Sequence, residues 1–128
     1  MADVWTFVQQ NGDGPSIPGL ELLAKARELG EVTTIYLGSG AGTEALGEHG
    51  AARVLQIDPG DRLPAGPVAA ALAERVAAEP PDLILFSQEY TDRDIAGRLA
   101  ARLGVGVLSN ASDVRLTDDG VETDHEVL

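Results

Sequence analysis

Leu83-Ile84-Leu85-Phe86 has no polar side chain on either face, so a strand built from it has to be covered from both sides. A parallel sheet provides that cover, because its crossover helices lie on its faces. The rest of the chain is patterned to match: short runs rich in β-branched and aromatic residues alternate with stretches of helical period, as in consecutive βαβ units. The first strand is expected over residues 3–9, with Trp5 and Phe7 on one face and Val4, Thr6 and Val8 on the other. Residues 32–37, 53–58, 82–87 and 105–108 read as further strands.

Between them, Ser16 is the expected N-cap of a helix that tolerates Pro18 in its first turn, runs to about Leu29 and takes a left-handed stop from Gly30. Shorter helical signals cover residues 43–49 and 68–78, the latter ending before Pro80-Pro81. Thr91 with Asp94 forms a capping-box pattern for a helix ending at Leu103, with Gly104 as its left-handed cap and Asp94 four residues before Arg98. Residues 114–117 and 121–123 flank Asp118-Asp119-Gly120 as a hairpin. The expected fold is α/β, a mainly parallel sheet ending in an antiparallel hairpin, and the 128 residues suit one domain with no linker. Residues 122–128 still alternate polar and apolar side chains with no closing turn, which reads as a chain interrupted within its structure.

Charge narrows the function. With 9 Lys+Arg against 21 Asp+Glu the formal net charge is -12, a field that repels nucleic-acid backbones and anionic membrane surfaces. No apolar run approaches the roughly 20 residues of a membrane-spanning helix, and the first residues lack an export signal, so a cytoplasmic location is expected. The absence of cysteine removes thiolate chemistry and thiol-ligated clusters. His49 and His125 have no partner at metal-pair spacing, and Ser39 lacks the frame of a nucleophile elbow, so neither a catalytic nor a metal site is assigned. Asp118, Asp119, Glu122, Asp124 and Glu126 lack the order of a calcium loop and read as a solvated hairpin face, while the six acids and one arginine of residues 113–128 could together dock a basic partner or domain.

Ligands in such sheets settle outside the carboxyl ends of the strands, where residues 10–15, 38–42, 58–61 and 88–93 would gather. The first and last of these would flank the crevice if their strands are neighbours. Gly40-Ala41-Gly42-Thr43-Glu44-Ala45 matches G-x-G-x-x-A between a strand and a helix, with Asp58 eighteen residues after Gly40. As a dinucleotide site, Gly40 and Gly42 would admit the pyrophosphate and Asp58 a ribose hydroxyl, with Arg93 near the crevice as a further contact. As a glycine-rich turn, the motif needs no ligand. Its place after the second strand and the short helix behind it favour the turn. Asp13, Asp58, Asp61, Glu89, Asp92 and Asp94 outnumber Arg62 and Arg93 there, and two like charges ~8 Å apart at an effective dielectric of 20 repel by roughly 2 kcal/mol. Trp5, Phe7, Tyr36, Phe86 and Tyr90 are the aromatic residues, and of these Tyr90 alone is expected outside a strand to stack on a flavin or base.

The succession Leu20-Glu21-Leu22-Leu23-Ala24-Lys25-Ala26-Arg27-Glu28-Leu29-Gly30, then residues 32–38, then His49-Gly50-Ala51-Ala52-Arg53-Val54-Leu55, resembles the N-terminal domain of the electron transfer flavoprotein alpha subunit. Pro81-Asp82-Leu83-Ile84-Leu85-Phe86 and the segment 92–104 carry the same resemblance, 93–104 most specifically. It implies a three-layer, Rossmann-like α/β scaffold related to adenine nucleotide hydrolase-like folds, which packs on a beta subunit and supports a C-terminal FAD domain absent from these 128 residues. The whole heterodimer would carry electrons from flavin dehydrogenases. The expectation for this chain is a scaffold and assembly role, with no enzyme activity and no cofactor of its own. The alternative is a stand-alone adenine-nucleotide-binding domain using Gly40, Gly42, Asp58 and Arg93.

Overall fold

A computed structural model describes residues 2–61, 64–108 and 111–125, with His125 as backbone only. Arg62, the His125 side chain and the alternating tail through Leu128 therefore lie outside the described residues. In chain order the elements are β1 (Ala2–Asn11), β2 (Gly14–Pro15), α1 (Ile17–Leu29), β3 (Gly30–Leu37), α2 (Thr43–Glu48), β4 (Arg53–Ile57), α3 (Ala65–Ala78), β5 (Leu83–Leu85), α4 (Tyr90–Leu103), β6 (Ala111–Thr117) and β7 (Gly120–His125).

Four parallel strands lie side by side as β5-β1-β3-β4, and β2 adds two antiparallel residues to the end of β1. The side-chain alternation of β1 is the one expected from sequence. Val4 and Val8 enter a core with Leu23 and Ala26 of α1, Tyr36 and Leu46, while Trp5 and Phe7 enter a second core with Val68, Leu72, Ile95 and Leu99 of α3 and α4. The sheet is therefore the middle of three layers. At its centre Thr6 and Thr34 face each other with their hydroxyls 2.9 Å apart, each satisfying the other where water is excluded.

Several local expectations are corrected. Gly30 is not a left-handed cap: its φ of 174° is extended, and it opens β3. What demands glycine is contact, because a Cβ there would lie 2.2 Å from the Ala2 carbonyl oxygen. Gly104, by contrast, takes the left-handed cap with φ 70°. α3 starts at Ala65, upstream of the expected start, because Pro67 falls in the first turn, where backbone amides have no helical partner to lose. α4 starts at Tyr90 after Glu89, so Thr91 lies inside the helix and the expected capping box is not made. Asp94 instead pairs with Arg98 at 2.9 Å, as the spacing suggested.

Residues 105–108 form no strand. Val105, Val107 and Leu108 are exposed, and Gly106 gives the run nothing to pack with. β5 pairs over three residues, so a ladder on its outer edge would recover little for the entropy of ordering the segment. The hairpin of β6 and β7 forms as expected and stands as its own two-stranded sheet. It is not merely solvated: Val114 and Leu116 pack on the α1 core, and Lys25 reaches Asp113 at 2.7 Å. That contact holds the Asp113 carboxyl below its ordinary range and the Lys25 ammonium above its own. Arg115 grips Asp124 through Nη1 and Nη2 at 2.8 and 2.9 Å, with Glu122 at 3.7 Å.

The contrast between two glycines gives a test. Gly30→Ala is expected to lower stability by about 1–3 kcal/mol, since β1 has to move from β3. Gly47→Ala, in α2 with nothing within 4 Å of the new methyl, is expected to raise it by about 0.5–1 kcal/mol. Urea unfolding of both variants measures the difference.

Candidate functional site

β1 sends its chain through α1 to β3 on one side, while β5 lies on its other side and leads into α4 on the opposite face. Neighbouring chains thus diverge at the carboxyl ends of β1 and β5, which is where a crevice opens in this class of sheet. The adjacency of the first strand and the apolar run, on which the crevice is conditional, is present, with Val4, Trp5 and Thr6 paired to Leu83, Ile84 and Leu85. The loops after both strands meet there. A depression of about 400 Å³ is lined by Gln9, Gln10 and Asn11 from the end of β1, by Ser16, Ile17 and Pro18 at the start of α1, and by Glu89 before α4.

Sequence reasoning did not find what fills the crevice floor. Asp92, in the first turn of α4, is 2% exposed. One of its carboxylate oxygens accepts from the Gln9 carboxamide, and the other accepts from the Ser87 hydroxyl at 2.7 Å and the Ser87 amide at 3.3 Å. The Ser87 hydroxyl oxygen in turn accepts from the Glu89 amide. This turn explains why the helix begins at Tyr90: the carboxylate folds back onto Ser87 and stitches β5, β1 and α4 together. The signal in the sequence was an acid five residues after a serine at a strand end, a spacing with no established motif.

The glycine-rich loop is satisfied in the same self-contained way. The Gln10 carboxamide accepts from the Gly40 amide at 3.0 Å and donates to the Gly12 carbonyl at 2.8 Å, and Ser39 bonds the same group. Gln56 donates to the Gly38 carbonyl, Tyr36 to the Ala41 carbonyl and Thr43 to the Gly40 carbonyl. Gly40 and Gly42 have φ of 96° and 72°, and a Cβ on Gly42 would lie 2.6 Å from both the Asp13 carbonyl oxygen and the Gly14 Cα. Both glycines therefore answer to turn geometry and close approach within the chain. The helix that follows has six residues and no side-chain cap.

Asp58 and Arg93 stand apart from that loop's bonding. Asp58 accepts from the Gly60 amide at 2.9 Å and lines a separate depression beyond β4 with Asp61 and Pro67. Arg93 is exposed and has no ion-pair partner among the described residues, so neither Asp92 nor Glu89 engages it. Ser39 is a turn serine, and the His49 ring bonds the Ala45 carbonyl at 2.7 Å. Among the described residues no group of three acidic or histidine side chains could hold a metal ion. No described helix is long and apolar enough to cross a membrane. Trp5, Phe7 and Tyr36 are buried, Phe86 stacks on Phe7 with centroids 5.4 Å apart, and Tyr90 is exposed.

Burial lifts the Asp92 carboxyl above the ordinary carboxylate range, and the bonds from Ser87 and Gln9 oppose the shift without cancelling it. A folded-state pKa above the unfolded one means that the native state holds the proton more tightly. The stability Asp92 contributes is then complete below its unfolded pKa and is lost as pH rises through the folded value. Between about pH 4 and about pH 7, the unfolding free energy of the parent chain minus that of Asp92→Asn is expected to fall as pH rises. Urea titrations at several pH values read the difference, and a flat line contradicts the assignment.

The geometry defines a three-layer α/β protein whose buried carboxylate at the switch point is bonded by its own side chains and backbone. Residues 4–127 match the family described as "Electron transfer flavoprotein domain", and the chain belongs to that family. It is 32% identical over 130 residues to "Electron transfer flavoprotein subunit alpha" of Mycobacterium leprae (strain TN), an alignment covering 96% of this chain and 41% of that protein. The protein of the same name from Syntrophomonas wolfei subsp. wolfei is 29% identical over 124 residues, covering 91% of this chain and 38% of that one. The chain thus spans about two fifths of the length of these relatives. A solved structure, protein Rv1636 from Mycobacterium tuberculosis H37Rv, aligns with 84% of this chain and 93% of its own at 16% identity and a TM-score of 0.40.

Proposed function

We propose that this chain is the scaffold and assembly domain of an electron transfer flavoprotein alpha subunit, without catalytic or redox activity of its own. In this reading it pairs with a beta subunit in the cytoplasm, and FAD is held outside these 128 residues. The full heterodimer then accepts electrons from flavin dehydrogenases. The observation that carries the reading is the Asp92, Gln9 and Ser87 network, which spends on internal bonds the groups that a nucleotide or flavin would use at the switch point. The residues present do not fit an isoalloxazine. Its ring system is held by a stacking face beside hydrogen-bond donors, and here the aromatic side chains are packed in the core apart from Tyr90, whose ring stands in solvent with no second face opposite it among the described aromatic residues.

Titration of the purified chain with FAD is expected to leave flavin fluorescence and the melting temperature unchanged, while co-expression with a beta subunit is expected to give a complex on size exclusion. A saturable FAD response would overturn the scaffold reading. Saturable binding of AMP, ATP or NAD that weakens on Gly42→Val or Arg93→Ala would favour the stand-alone nucleotide binder in its place.

A further inference from the structure

Two large apolar side chains project at the carboxyl end of the sheet. Tyr90, the first residue of α4, is 91% exposed, and Ile17, the first residue of α1, is 71% exposed. α1 and α4 lie on opposite faces and lead away from neighbouring strands, so their first turns flank one crevice. Ile17 and Glu89, the residue before Tyr90, both line the depression between them. Neither projecting side chain serves the fold. Arg93, one turn beyond Tyr90, is exposed and without an ion-pair partner among the described residues. Tyrosine and arginine are the residue types that dominate the energetics of protein interfaces.

The shape favours a macromolecule over a small ligand. The crevice floor is already filled by the Asp92 network, and side chains that protrude need a recess on something else. Charge says what that recess carries. At this end of the molecule the described exposed ions are Asp13, Glu44, Asp58 and Asp61 against Arg93, with Asp94 neutralised by its pairing to Arg98. A second copy would bring the same anionic end and another -12 of net charge, so it is repelled. A basic surface is attracted.

We propose that this end of the sheet, centred on Tyr90 and Ile17, is the surface on which the beta subunit docks, through an apolar hollow ringed by lysine or arginine. The proposal rests on the scaffold reading above. Both side chains stand in solvent, so replacing them leaves the cores intact, and circular dichroism with thermal melting checks this. The test is titration of a purified beta subunit into the chain, its Tyr90→Ala and Ile17→Ser variants, and Val107→Ser beyond the far end of α4 as a control. Tyr90→Ala is expected to weaken binding about tenfold or more, Ile17→Ser by a smaller factor and Val107→Ser not at all. The parent complex is expected to weaken as salt rises from about 0.05 to about 0.3 M. Binding by the parent that both Tyr90→Ala and Ile17→Ser leave within about twofold overturns this surface while the scaffold reading stands. No binding by the parent overturns the scaffold reading and this inference with it. Affinity indifferent to salt overturns the basic character assigned to the partner.

Discussion

The middle of β1, from Val4 to Val8, has no solvent face, and most of the architecture follows from that. Val4 and Val8 need cover on one side, Trp5 and Phe7 on the other, and both sets are buried. α1, joined by Leu46 of α2 and by Val114 and Leu116 of the hairpin, covers one side; the other requires the crossover from β4 through α3 to bring β5 and α4 back past β1. Burying four such side chains is worth roughly 1.5–3 kcal/mol each before entropy is charged against it, a driving force that no loop contact in the molecule rivals. The placement of β5 beside β1, and so of the crevice, is therefore a consequence of where apolar surface had to go, not of any ligand.

Features set by nearest neighbours along the chain were legible in the sequence. The alternation in β1, the Ser16 cap bonded to the Gly19 amide, the Asp94–Arg98 pair and the Gly104 cap all depend on residues within a few positions of one another. The features that escaped depend on what folding brings near. Gly30 reads as a helix stop until Ala2 is placed against it, and residues 105–108 read as a strand until the short β5 ladder is seen. The partnership of Asp92 with Gln9 spans 83 residues, and that of Gly40 with Gln10 spans 30. No local rule joins them. The resemblance in residues 81–86 and 92–104 identified the family, and residue physics alone had reached as far as an acidic, cysteine-free α/β sheet.

The glycine motif shows why a spacing pattern underdetermines chemistry. A backbone that admits a pyrophosphate and one that admits another turn of its own chain both need residues without a Cβ, and G-x-G-x-x-A records only that need. What separates the two is the fate of the freed amides. Here the Gly40 amide goes to Gln10, and Gly42 makes room for Asp13 and Gly14. Gln9-Gln10 at the end of a buried strand was the overlooked sign, since two carboxamides leaving a core must find partners among the loops beside them.

Asp92 completes the same logic at α4. The first turn of a helix and a free amide before it form a receptor for negative charge, and in this protein the charge is supplied from within, by a carboxylate bonded to Ser87 and Gln9. A second anion placed ~4 Å from it would meet about 4 kcal/mol of repulsion at an effective dielectric of 20, several times the usual gain from a helix terminus. Ionising a nearly buried carboxyl costs stability, as the upward shift of its pKa records, yet its three acceptor bonds tie the ends of β1 and β5 to the start of α4. Those ties hold the first turn of α4 against the sheet and leave Tyr90, two residues before Asp92, standing in solvent. Tying the strand ends together under the crevice and presenting an aromatic ring beside it are two results of one buried carboxylate.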